Sequence, residues 1–244
     1  MLTAEIDIDL QVKHLFACSF REVVMKFKDA EVIGHRGAAA LAAENTKEAF
    51  EKAIEANLNW VETDVRLSRD GRLVLWHDAC IEDLPIESSN LDTLREAAGG
   101  HLMTLCQALD QFSPELHFNL DMKSHTALPF VVQELKARNL EHCTLLSSFH
   151  HKAMVEGQYA HRDMLFAPIL ASRPASTLSF LSWFKHMKFI VCDIDFIDLA
   201  MIDEIKKLGF QLYLYNVHFK EQAAAFIEAG VNAIIVDNPI VFME

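Results

Sequence analysis

Short apolar runs alternate along this chain with longer stretches whose apolar residues recur three and four positions apart. The short runs predict strands over 31–34, 60–67, 73–77, 116–122, 143–148, 164–170, 189–194, 211–216 and 233–236. The longer periodic stretches predict helices, among them 46–56, 128–139, 199–208 and 220–229. Asn45-Thr46 is a start signal for the first of these, and Gly209 and Gly230 are stop signals for the last two. Asp70-Gly71 between two β-rich runs predicts a tight hairpin. With those two residues as the loop, Arg69 faces Arg72, and Asp64 faces His77 on the same side of the sheet as Glu62.

Removing the hairpin return leaves eight strands, most of them separated by helices, which calls for a parallel sheet. An open nucleotide-binding sheet would carry a glycine-rich turn after its first strand. Gly34-His35-Arg36-Gly37 has a different spacing and offers charged side chains instead. The fold class is therefore α/β, a single (β/α)8 barrel over residues 31–244 with an extra hairpin strand at its mouth. Residues 1–30 form a separate extension. There Leu15, Phe16, Ser19, Phe20, Val23, Val24 and Phe27 line one face of an expected helix flanked by Lys13, Arg21, Lys26 and Lys28. Its expected place is against the bottom of the barrel rather than on a membrane surface.

Length agrees, since 244 residues match the roughly 250 of such barrels. A net charge of −13 and the lack of a basic stripe argue against a nucleic-acid partner, though not against a small anionic substrate. No apolar run reaches a membrane span, and the acidic start does not resemble a signal peptide. Five scattered cysteines with no C-x-x-C pair suit reduced thiols in a cytoplasmic protein.

Catalytic groups of such barrels sit at the C-terminal ends of the strands. Those positions carry His35 and Arg36, then Glu62 and Asp64, then His77 on the hairpin return. Alternation in H-F-N-L-D-M-K aligns Asn119, Asp121 and Lys123 on one face, and Ser148 and Asn216 end later strands. Three carboxylates without a cysteine suit one hard divalent cation, Mg2+ or Ca2+. Arg36 and Lys123 suit a phosphate. His35 and His77 can act as an acid/base pair. Together these groups point to metal-assisted phosphoester cleavage. Glu44 and Asn45 lie nearby, Asn45 doubling as a candidate helix cap.

The motifs I-G-H-R-G, E-N-T, V-E-T-D-V-R-L-S-R-D-G, L-V-L-W-H-D, L-D-M-K and G-V-N-A-I-I-V-D-N-P, in this order, resemble those of the glycerophosphodiester phosphodiesterase family over about residues 31–240. The resemblance implies hydrolysis of a glycerophosphodiester to glycerol 3-phosphate and an alcohol. It implies metal ligation by Glu62, Asp64 and Asp121, and proton transfer by His35 and His77. Phosphate or substrate binding falls to Arg36, Lys123 and Asn216. Asp121 stands where the family usually has glutamate, whereas the related sphingomyelinase D-like barrels carry an aspartate there, and the segment after Asp78 departs from the usual pattern. Two other readings stand beside it: a lysophospholipase D-like lipid phosphodiesterase, and a weakly active barrel that binds phosphodiesters or a protein partner.

Overall fold

The computed structural model describes residues 25–243. β1 (Lys26–Phe27) turns through Lys28 (φ 55°) and pairs antiparallel with β2 (Ala30–Gly34). The end of the expected N-terminal helix is thus a hairpin: Lys28-Asp29 reverses the chain, and β2 supplies backbone partners that a helix end would lack. The remainder of that helix, residues 15–24, lies outside the described residues.

From β2 the chain runs through α1 (Lys47–Glu55), β3 (Trp60–Leu67), β4 (Leu73–Leu75), β5 (Cys80–Ile81), β6 (Leu84–Pro85), α2 (Leu91–Ala97) and α3 (Leu105–Phe112). It continues as β7 (His117–Met122), α4 (Leu128–Arg138), β8 (Thr144–Ser148), α5 (His151–Ala160), β9 (Leu165–Leu170) and α6 (Thr177–Leu181). The last turn of the ring is β10 (Phe189–Asp193), α7 (Leu199–Lys207), β11 (Gln211–Tyr215), α8 (Lys220–Ala229) and β12 (Ala233–Val236). The strands are ordered β2-β12-β11-β10-β9-β8-β7-β3, and β3 pairs back onto β2. All eight are parallel, so the sheet closes as the expected (β/α)8 barrel.

Alternation sorts the strand residues into two apolar layers. Ile33, Trp60, Leu145, Phe189, Val191, Tyr213 and Ile235 fill the interior. Val32, Val61, Phe118, Leu146, Phe166 and Ile190 face outward onto Phe50, Leu109, Val131, Met154 and Ile202 of the helices. Both faces are covered, which is why the strands read as near-continuous apolar runs. Truncating a fully buried ring such as Phe50 costs about 3–5 kcal/mol.

The β3–β4 hairpin differs from expectation by one residue. The pairs are Val65 with Leu75, Arg66 with Val74 and Leu67 with Leu73, and the Ser68 N–H donates to the Arg72 carbonyl at 2.9 Å. The loop is therefore Arg69-Asp70-Gly71, with Gly71 at φ 75°. Asp70 explains the wider loop, because its Oδ1 accepts from Ser68 Oγ (2.7 Å) and from the Leu91 N–H (3.1 Å). Shifting the register by one residue turns every side chain to the other face. Asp64 accordingly stands opposite Trp76, whose N–H donates to the Asp64 carbonyl at 3.2 Å, and not opposite His77. β4 ends at Leu75, and His77 follows in a bend, where Arg66 Nε and Nη2 donate to its carbonyl at 2.9 and 2.6 Å. Val74, Ile81, Ile86, Leu94 and Leu102 form a satellite core that anchors this segment.

Candidate active site

The loop after β2 is shaped by close backbone approach. A Cβ on Gly34 would lie 2.0 Å from the Gly37 carbonyl oxygen, and Gly37 (φ 89°) packs on the Ala49 backbone. Arg36 and Asn45 are held left-handed at φ 49° and 58°, a conformation that non-glycine residues adopt sparingly and that concentrates at functional sites. The result aims the Arg36 N–H at Glu62 Oε2, 3.1 Å away.

Pairing of β3 with β7 sets Asp64 beside Asp121 and Glu62 beside Asn119. Ligand oxygens of Glu62, Asp64 and Asp121 come within 4.8 Å of one another, and all three residues are buried. Their electrostatics differ. Burial, reinforced by the Asp64 charge, pushes the Glu62 carboxyl well above its ordinary range. Burial also raises Asp121. For Asp64 burial is outweighed by Lys123 and Arg36, so it is held ionised below its ordinary range. Lys123 Nζ lies 2.9 Å from Asp64 Oδ1 and 2.6 Å from Asp121 Oδ2, and Arg36 Nε lies 3.2 Å from Asp64 Oδ2. Asp121 Oδ1 is buried with no hydrogen-bond partner among the described residues. Three crowded buried carboxylates, one with an orphan oxygen, make a site that could hold a divalent cation.

The histidines approach from two sides. His35 Nδ1–H donates to Asp237 Oδ1 at 2.6 Å, leaving Nε2 3.8 Å from Glu62 Oε2. Burial opposes charge on His35, but Asp237 and Glu62 outweigh it, and the ring titrates above its ordinary value. His77 pairs through Nδ1 with Asp78 Oδ1 at 2.8 Å, so Nε2 is the ring nitrogen outside that bond.

The eight residues to which the motifs assign a role line one cavity of about 230 Å3: His35, Arg36, Glu62, Asp64, His77, Asp121, Lys123 and Asn216. His77 reaches it from the bend, not from the ladder position that the two-residue loop predicts.

The sequence profile of the Glycerophosphoryl diester phosphodiesterase family matches residues 35–241. The chain belongs to this family. A glycerophosphodiester phosphodiesterase of Caldanaerobacter subterraneus is 27% identical over 85% of this chain and 94% of its own length. A probable glycerophosphodiester phosphodiesterase 2 of Mycobacterium tuberculosis is 30% identical over 84% and 86%. Among solved structures, a glycerophosphodiester phosphodiesterase of Thermotoga maritima superposes with a TM-score of 0.77 at 25% identity, covering 86% of this chain and 96% of that one. An Oleispira antarctica phosphodiesterase, solved with the product sn-glycerol-3-phosphate, shares the fold with a TM-score of 0.75 at 23% identity, over 85% and 93%.

Within this family member the structure adds residues that pattern reading missed. Asp237 holds His35 and accepts from Asn216 Nδ2 at 2.8 Å. Its signal was its place just past the last strand, in V-D-N-P. Asn45 does not cap α1. Thr46 does, accepting from the Ala49 N–H, while Asn45 Nδ2 donates to Asp64 Oδ2 at 2.8 Å and its Oδ1 accepts from Thr63 Oγ1 at 2.6 Å. Ser147, not Ser148, lines the cavity, and Ser148 instead donates to the Met122 carbonyl.

Proposed function

We propose that this protein hydrolyses glycerophosphodiesters to glycerol 3-phosphate and an alcohol by a metal-dependent reaction with a histidine acid/base pair. The observation that carries the reading is the meeting of three buried carboxylates, two histidines and two cations in one cavity of a family-matched barrel. Glu62, Asp64 and Asp121 would hold one cation, Mg2+ or Ca2+, since every ligand atom is a carboxylate oxygen. When bound, that ion stabilises charge developing on a phosphoryl oxygen.

The chain's own groups do the rest. Lys123 and Arg36 draw the phosphate against the acidic cluster. One histidine removes a proton from the attacking water as its oxygen bonds to phosphorus, and the other protonates the departing alkoxide as the phosphorus–oxygen bond breaks. Asp237 fixes the His35 tautomer and favours its charged form, so His35 can retain a proton between steps. The cysteine pattern supports a reducing, cytoplasmic setting, and no helix among the described residues is long and apolar enough to cross a membrane.

Incubating the protein with glycerophosphocholine and either ion should release glycerol 3-phosphate. No release with Mg2+ or Ca2+, from this or several other headgroups, would sink the reading. A second reading, a single-chain lipid as substrate, is favoured by one observation. Phe149 lines the cavity and is exposed, and Leu41, Phe196, Phe219 and Ile240 are exposed in the segments that follow β2, β10, β11 and β12, at the end of the barrel that carries the cavity. Comparing kcat/KM for lysophosphatidylcholine and glycerophosphocholine separates the two.

A further inference from the structure

The wall of the cavity facing the carboxylates has a different chemistry. In the closed ring β11 stands four strands from β7, directly across the barrel from Asp121. Tyr215 ends β11, Asn216 follows, and both line the cavity. Around them Ile169, Val191 and Ile235 offer nothing to hydrogen-bond, and Phe149 packs edge-on to the Tyr215 ring at 6.4 Å. In this apolar setting two polar atoms are buried without a partner among the described residues: Tyr215 Oη and Asn216 Oδ1. Native proteins rarely leave such groups unsatisfied, and orphans at a cavity wall mark places where a ligand completes the bonding.

The two orphans differ in what they can do. Burial, with Asp193 adding, pushes the Tyr215 phenol upward, so it remains an O–H donor. The Asn216 amide is oriented by its Nδ2–H bond to Asp237, which leaves Oδ1 as an acceptor only. A donor and an acceptor from consecutive residues on one cavity wall match an alcohol hydroxyl, which both accepts and donates. An ionised phosphodiester oxygen cannot donate to Asn216 Oδ1, and neither can a quaternary ammonium group.

We propose that Tyr215 Oη and Asn216 Oδ1 form a hydroxyl-recognition subsite that selects the glycerol end of the substrate, across the cavity from its phosphate. This assignment rests on the phosphodiesterase reading above and deepens it. It sets the free hydroxyls of the glycerol on the β11 wall and leaves the alcohol headgroup elsewhere. An ester on a hydroxyl seated there could not donate to Asn216, so the subsite also discriminates against acylation at that position.

Calorimetric titration of the protein in Mg2+ or Ca2+ tests the subsite without turnover. The ligands are glycerol 3-phosphate and propyl phosphate, which keeps the phosphate and the three carbons but lacks both hydroxyls. The wild-type protein should bind glycerol 3-phosphate roughly ten- to a hundred-fold more tightly. Tyr215→Phe should narrow that ratio about tenfold while binding propyl phosphate as before, which also reports an intact cavity. Equal binding of the two ligands by the wild type overturns the proposal, as does a wild-type ratio retained in Tyr215→Phe. If the wild type binds neither ligand, the phosphodiesterase reading fails and the subsite fails with it.

Discussion

His35 Nδ1 and Asp237 Oδ1 are 2.6 Å apart, joined across 202 residues of chain. The bond fixes which ring nitrogen faces the carboxylates, and the negative charge favours the imidazolium. Asp237→Asn should lower kcat/KM roughly a hundred-fold without unfolding the barrel. Because Asp237 raises the His35 pKa, its loss should also move the pH–rate limb governed by His35 to lower pH. A profile that keeps its shape and position would remove Asp237 from the role of orienting His35.

His77 lies outside the ladder and is secured through its backbone carbonyl by Arg66, so its side chain is dispensable to the fold. His77→Ala is expected to retain the wild-type melting temperature and lose roughly a hundred-fold or more in turnover. Activity equal to wild type would exclude His77 from proton transfer.

Asn45 should act through Asp64. Replacing it with alanine removes a donor to Asp64 Oδ2 and an acceptor for Thr63 Oγ1 and the Asp64 N–H. The metal concentration giving half-maximal activity should rise about ten- to a hundred-fold. Stability should drop by about 1–3 kcal/mol, since buried groups lose partners and alanine resists the left-handed backbone. An unchanged metal requirement would show that Asp64 needs no such support.

Glu31 offers a test of pH-dependent stability far from the site, at the opposite end of β2. Burial lifts its carboxyl from 4.5 to about 7, against the opposing charge of Lys26. A carboxyl raised on folding binds more protons when folded, so its contribution is full below pH 4.5 and lost as pH rises through about 7. Wild-type stability should therefore fall across that window by at most about 3 kcal/mol. Glu31→Gln should flatten the fall and be the more stable protein at pH 8. Urea midpoints at pH 5 and pH 8 for both proteins measure this, and parallel curves would refute it.

Much of the fold was legible because each barrel strand is buried on both faces, and long apolar runs are hard to mistake. The acidic and cationic residues were legible because they interrupt those runs. Alternation put Asp64 on one face of its strand and Asp121 on one face of its own, and the β3–β7 register sets the two side by side. The hairpin register was not legible, because it depends on Asp70 bonding to Ser68 and to Leu91, a residue distant in sequence. Asn45 was ambiguous for a similar reason: caps and ligand supports use the same side chains, and only the fold shows that Thr46 had taken the cap. Asp237 was hidden because its partner belongs to the far end of the chain.

The pairing of β12 with β2 has a consequence for the order of events in biosynthesis. Synthesis reaches His35 202 residues before Asp237, and the two meet only where β12 joins β2. A nascent chain that stops before Ala233 already contains Glu62, Asp64 and Asp121, yet it lacks both the strand that closes the ring and the Asp237 that orients His35. Under the mechanism proposed above, proton transfer at His35 would become available only with barrel closure.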